Sequence, residues 1–239
     1  MSSALIRVEG GPLLANLSIQ APTDRSASGV RLHGTVNPNG HTTTALFEYG
    51  PTASYGQSVP LTLVDEDGTL AENVEALLTG LTAGTSYHFR LTATTAAGTR
   101  STADGLFSTF SNLEVWRQLH FGNAANAGMG ADTADFDLDG LPNLLEWACG
   151  LSPAALSRFD TPVSRNGSVI EFTYTRDTSA SGAVFNVEWS DTLPGASWST
   201  AGVSETITSQ AGTIQTVKAT MPAGTNGSRF VRLRVLGPS

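Results

Sequence analysis

Between Asp132 and Glu146 the chain places five acidic side chains, although only 14% of its 239 residues are charged. From Asp135 the order is Asp-Phe-Asp-Leu-Asp-Gly-Leu-Pro-Asn-Leu-Leu-Glu. That order fills every slot of the twelve-residue pattern D-x-[DN]-x-[DN]-G-x5-E. Carboxylates about 4 Å apart repel by roughly 1 to 4 kcal/mol between water and a protein surface, so gathering them is costly without a cation. The pattern predicts Ca²⁺ as that cation. Asp135, Asp137 and Asp139 offer side-chain oxygens at loop positions one, three and five, and Gly140 permits the sharp turn at six. Leu141 gives its backbone carbonyl, Asn143 acts at position nine directly or through water, and Glu146 closes the shell with both oxygens. Oxygen donors in this number suit Ca²⁺ better than Mg²⁺, with its tight octahedron, or Zn²⁺, with its preference for nitrogen and sulfur. The blander reading is a solvated acidic loop whose aspartates cap the following helix; six coincident constraints favour the cation. Asp132 is left open between an extra ligand and a helix cap.

A loop of this kind needs helices at its ends, and the sequence provides both. In "NLEVWRQLHFG" Leu113, Trp116, Leu119 and Phe121 recur at helical intervals, with Asn112 placed as an N-cap and Gly122 as the stop. "PNLLEWACG" reads as a second short helix over 142–149, with Pro142 in its first turn and Gly150 as its C-terminal cap.

Outside this region the chain reads as short strands. Its 25 Gly and 11 Pro sit among many Thr and Ser, a balance of strands and frequent turns. "GVRLHGTV" (29–36) and "TTTALFEYG" (42–50) flank the turn "NPNG" and are expected to form a hairpin. "VEALLTGL" (74–81) and "TSYHFRLTATTAAG" (85–98) form an expected second pair, and "STADGLFSTF" (101–110) closes the sheet. Tyr87, just past that corner, is placed to bond back to the preceding loop. Strand patterning returns at 168–176, 183–191, 213–221 and 229–236. In the last of these Phe230, Leu233 and Val235 alternate with arginines, as on a strand with one wet face. These strands are read as a separate β domain rather than an extension of the helical unit.

Several functions are disfavoured. The net charge is −8 and Lys218 is the only lysine, so no basic patch is available for nucleic acid. His33, His41, His88 and His120 are scattered, and no nucleophile elbow, P-loop or dinucleotide fingerprint is present. The chain is therefore expected not to be an enzyme. The single Cys149 is expected to be a buried small hydrophobe. Trp189 shares a strand face with Phe185 and Val187 and is expected in the core, whereas Trp198, with Trp189 and Tyr174, is the alternative platform for a sugar. The Asn-x-Ser sequences at Asn16, Asn166 and Asn226 carry no weight. No apolar run approaches the roughly 18 residues of a membrane helix, and the start lacks a signal peptide. We expect the leader to be absent from this chain and the protein to be extracellular or on the cell surface.

The stretches Gly34–Gly40, Phe47–Gly50, Ser54–Gly56 and Leu78–Arg90 carry "GTVNPNG", "FEYG", "SYG" and "LTGLTAGTSYHFR". They resemble fibronectin type III domains of the bacterial variety, over roughly the first 100 residues. The resemblance implies a β-sandwich that serves as spacer or binding module. Trp116–Gly122 and Ala131–Pro153 are similar to the calcium-binding repeats of dockerins and thrombospondin type 3 segments. They are more similar still to a unit near the C-terminus of many secreted bacterial proteins. Dockerins pair two such loops to bind cohesin; one loop here implies a structural role. In that reading the ion holds the two helices in one orientation, and with them the β domains on either side.

The expected architecture is mostly β, two sandwich-like domains joined by a helix–calcium loop–helix unit. It comprises an N-terminal strand-like segment (1–11), a fibronectin type III-like sandwich (12–110), the calcium unit (111–154) and a C-terminal β domain (155–239). The expected function is structural or adhesive, with proteins or glycans at the cell surface as partners. Two alternatives are kept. One is a subunit of an extracellular filament assembling by strand addition, in which "ALIRVEG" (4–10) donates the strand. The other is an accessory carbohydrate-binding part of a larger secreted enzyme.

Overall fold

Period-two alternation is what the first half of the chain uses to build a core. The computed structural model describes residues 11–157, 163–193, 195, 197–224 and 228–238; the segment 4–10, Pro194 and Asn226 lie outside the described residues. It falls into two compact units, 1–111 and 112–239, and both are built mainly from strands.

The first unit runs β1 (Asn16–Thr23), β2 (Gly29–Asn37), β3 (Thr44–Gly50), β4 (Gln57–Leu61), β5 (Glu72–Thr79), β6 (Ser86–Thr95), β7 (Gly98–Ser101) and β8 (Gly105–Ser108). One antiparallel sheet has the order β1-β2-β5 and the other β4-β3-β6-β7. Strand β7 pairs with Thr92–Thr95 of β6 and β8 with Ser86–Phe89, so the two serve as halves of one interrupted edge strand. Val30, Leu32, Val36, Phe47, Phe89 and Leu91 fill the space between the sheets. Their burial, at about 25 cal/mol per Å² of apolar surface, is the main favourable term for this unit.

Two expected pairings are corrected. Strand β2 bonds to β1 and β5, while β3 bonds to β4 and β6; 29–36 and 42–50 are therefore in opposite sheets and form no hairpin. The same holds for 74–81 and 85–98. The turn residues at 37–40 reverse the chain equally well within a sheet or across to a facing one. Only the second option lets the apolar faces of β2 and β3 meet. Strand 85–98 is also shorter than expected, since the chain turns after Thr95 to start β7. Strands β1, β4 and β7 have weaker alternation and were not foreseen.

Two sequence motifs have a local reason here. The Tyr87 hydroxyl accepts the Thr82 N–H at 3.0 Å, as expected for a corner tyrosine. A Cβ on Gly50 would lie 1.6 Å from the Tyr55 carbonyl oxygen, and Tyr55 itself has φ 58°. "FEYG" and "SYG" thus belong to one tight chain crossing.

The second unit runs α1 (Asn112–Phe121), a 3-10 turn (Gly128–Gly130), α2 (Asn143–Cys149), β9 (Ser164–Asn166), β10 (Val169–Asp177), β11 (Val184–Ser190), β12 (Ser204–Ala211), β13 (Ile214–Pro222) and β14 (Phe230–Leu236). A sheet of order β12-β13-β10-β9 faces a two-stranded sheet of β11 and β14. Phe172, Tyr174, Val187, Val217, Ala219 and Met221 lie between them. A second cluster brings Leu113, Trp147 and Ala148 of the helices against Ala180, Phe185 and Val235, so helices and strands share this unit. On β14 the inward residues are Val231, Leu233 and Val235. Phe230 is out of phase with them, because 230 and 233 are three apart in a two-residue repeat. On α1 the buried residues are Leu113 and Arg117, while Leu119 is 77% exposed. Helical rotation takes position 119 well off the face of 113 and 117.

Replacing Gly50 by Ala should destabilise the protein by at least about 2 kcal/mol through the clash with Tyr55. Tyr87→Phe should cost about 1 kcal/mol. Urea denaturation followed by circular dichroism measures both.

Candidate metal centre

The acidic loop is shaped by its own side chains. Asp135 Oδ2 accepts the Gly140 N–H at 2.8 Å, Asp139 Oδ1 accepts the Leu141 N–H at 2.7 Å, and the Asp139 N–H points at both Asp135 and Asp137. Gly140 has φ 95° and Leu138 φ 63°; the first conformation favours glycine, and the second places a leucine in the left-handed region at the loop's exposed tip. The result brings oxygen atoms of Asp135, Asp137 and Asp139 within 4.8 Å of one another.

Helix α2 carries the rest. Pro142 precedes its first turn and Gly150, at φ 71°, ends it by donating to the Glu146 and Trp147 carbonyls. Asn143 and Glu146, three residues apart, lie on one face and are 1% and 0% exposed. The Asn143 amide nitrogen donates to the carbonyls of Met129 and Ala131 at 2.7 and 2.9 Å. Both partners can only accept, so the amide orientation is fixed and Oδ1 is turned away from them.

Four side-chain oxygens in this group are buried without a protein hydrogen-bond partner: Asp137 Oδ2, Asn143 Oδ1 and both oxygens of Glu146. Buried acceptors are ordinarily satisfied, and an unmet one costs about 1 to 3 kcal/mol, more when charged. Burial, followed by the charges of Asp137, Asp139 and Asp135, pushes the Glu146 carboxyl up to about 7. The donors are hard oxygens of mixed charge, with both oxygens of the Glu146 carboxylate unpartnered, and their chemistry fits Ca²⁺.

The loop is anchored on several sides. Asp132 pairs with Arg117 of α1 and accepts from the Asn126 amide at 2.9 Å. Both its oxygens are thereby occupied, which makes Asp132 a tie between α1 and the loop. Asp139 Oδ2 accepts the Ser157 N–H, and Phe136 meets Phe121 edge to face at 5.4 Å. Asn112 starts α1, and its amide donates to the Ser179 carbonyl. Sequence reasoning assigned no role to Arg117, Asn126 or the Met129 and Ala131 carbonyls. Arg117 was visible inside the "WRQLHFG" stretch; the carbonyls carry no side-chain signal at all.

The remaining candidates are placed as follows. Cys149 is buried, and burial pushes its thiol up to about 12. Trp189 packs against the second unit's core, with its Nε1 donating to Ala201 and the Arg229 guanidinium 3.6 Å from its ring centre. Trp198 is half-buried beneath Arg232 at 4.0 Å. Tyr174 is 0% exposed and cannot join a sugar platform. His33 bonds Thr23, His88 bonds Asp104, and His120 lies against Trp116, where burial lowers its pKa. Among the described residues no helix is long and apolar enough to cross a membrane.

No family model matches this chain and no curated protein is similar to it. Among solved structures, the sensor domain of the anti-sigma factor RsgI4 in Pseudobacteroides cellulosolvens is 15% identical, with 41% of this chain and 90% of that one covered and a TM-score of 0.33. The fibronectin type-III domain of human fibronectin type III domain containing protein 3 is 16% identical over 44% and 93%, with a TM-score of 0.30. The third fibronectin III domain of human KIAA0343 protein is 15% identical over 46% and 94%, also at 0.30. Likeness at this level says nothing about ligand or partner.

Glu146→Gln removes the buried charge while keeping the shape. In chelator at pH 8 the variant should be more stable than the parent, by on the order of 2 kcal/mol. In millimolar calcium the order should reverse. Thermal melts of both proteins under both conditions read the crossing.

Proposed function

We propose that this is an extracellular or cell-surface structural protein of adhesive or mechanical role, whose second unit is stabilised by one Ca²⁺. The ion is held by Asp135, Asp137, Asp139, the Leu141 carbonyl, Asn143 and Glu146. The observation that carries this reading is the Glu146 carboxylate, fully buried, without a protein partner and opposed by three aspartates. When bound, the ion supplies the positive charge that this group lacks. The residues do the rest: Asn143 is aimed by two backbone carbonyls, and Arg117 with Asp132 ties the loop to α1. Binding therefore adds to the folding free energy of the unit, because an unfolded chain presents no such site. Loops of this sort in extracellular modules bind at about 10⁻⁴ to 10⁻³ M. At that affinity the loop would be filled at the calcium concentrations found outside cells.

Calorimetric titration with parallel thermal melts tests the proposal. About one ion per chain should bind, and at ten times Kd it should stabilise by roughly 1.4 kcal/mol, or about 3 to 6 °C. Asp137→Ala and Glu146→Ala should each abolish both effects. Absence of heat and of any melting shift at several millimolar calcium would reduce the loop to a solvated cap.

A further inference from the structure

Helix α2 starts at Pro142 with no side-chain hydrogen bond to cap it. The opening N–H groups of a helix have no partner inside it, and here the chain segment 129–134 supplies two. The Ala134 carbonyl accepts the Asn143 N–H at 2.8 Å, and the Asp132 carbonyl accepts the Leu144 N–H at 3.1 Å. The same segment holds the Asn143 side chain, whose amide donates to the Met129 and Ala131 carbonyls. These four carbonyls form a cradle that fixes both the start of α2 and the Asn143 side chain. Glu146 follows on the same helix face, three residues along, so the cradle aims it as well.

Asp132 steadies the cradle. Its N–H donates to Asn126 Oδ1 at 2.8 Å, and its carboxylate accepts from the Asn126 amide at 2.9 Å and from the Arg117 guanidinium of α1. Through its side chain Asp132 is held by α1 and Asn126, and through its carbonyl it holds α2.

Arg117 is the costly member of this chain of contacts. Its side chain is 7% exposed, and its Nε is buried without a hydrogen-bond partner. A buried guanidinium with an unmet N–H works against folding, and an apolar side chain of similar size often serves stability as well or better. What Arg117 does that an apolar residue does not is grip Asp132.

We propose that Arg117, acting through Asp132, is a positioning residue that sets the calcium affinity of the loop. It holds the cradle that aims Asn143 and Glu146 before the ion arrives. This role rests on the Ca²⁺ reading of the loop, and its sign separates it from simple electrostatics. By charge alone, removing a cation from beside a cation site tightens calcium binding; removing a positioning residue loosens it.

Calorimetric titration of Ca²⁺ into the full chain, well below its melting temperature, is the test. Arg117→Met should raise Kd roughly tenfold or more, the cost typical of losing a group that orients a metal ligand. Arg117→Lys restores a donor for Asp132 and should recover part of the loss. Asn126→Ala alters an exposed side chain without changing charge, and should also raise Kd. A role confined to packing would lower the melting temperature in chelator and leave the Kd of the folded protein unchanged. Binding by Arg117→Met as tight as the parent's, or tighter, would overturn the proposal and leave the calcium site standing. If Arg117→Met does not fold, an unchanged Kd in Asn126→Ala overturns it instead. A parent chain that takes up no calcium brings down the site and this role together.

Discussion

One buried carboxylate organises the second half of this protein. Glu146 is fully shielded from water, meets no hydrogen-bond donor and faces three aspartates. Left ionised, such a group opposes folding by its desolvation and by repulsion, and neither term is small in a protein interior. Its surroundings are nevertheless ordered to hold it there. Helix α2 is started by Pro142, stopped by Gly150 and fixed on the core by Trp147 and Ala148. The neighbouring Asn143 is clamped by two carbonyls. This arrangement around an unfavourable charge is the observation on which the proposed Ca²⁺ site rests.

Apolar packing and one ion pair explain why α1 and α2 belong with the C-terminal strands. A seven-residue helix is too short to be stable by its own backbone bonds. It persists because Leu113, Trp147 and Ala148 pack against Phe185 and Val235 and because Arg117 and Asp132 tie α1 to the loop. Changes in the loop should therefore be felt by the whole unit. The first unit is different in kind: its stability rests on the two apolar faces of a sandwich and on local devices such as the Tyr87 hydroxyl.

Much of this was legible in the sequence because the signals were local. Side-chain types at fixed offsets spell the acidic loop, and the alternation in 29–36 and 42–50 marks strands correctly. What alternation does not encode is the partner. Whether β2 turns back on β3 or crosses to face it depends on which apolar surfaces meet, a long-range property invisible in the turn "NPNG". Helix α1 was found, yet its buried side was misjudged, since Arg117 is buried to serve Asp132 and Leu119 is exposed. Backbone carbonyls such as those of Met129 and Ala131 leave no trace in residue identity.

In the proposed site Glu146 closes a calcium shell with both oxygens. A crystal structure of the protein grown in calcium tests it most directly. The account predicts an anomalous peak with both Glu146 oxygens, and oxygens of Asp135, Asp137, Asp139 and Leu141, about 2.3 to 2.6 Å away. A structure without that peak, with Glu146 protonated and hydrogen-bonded to a neighbouring aspartate, would contradict it.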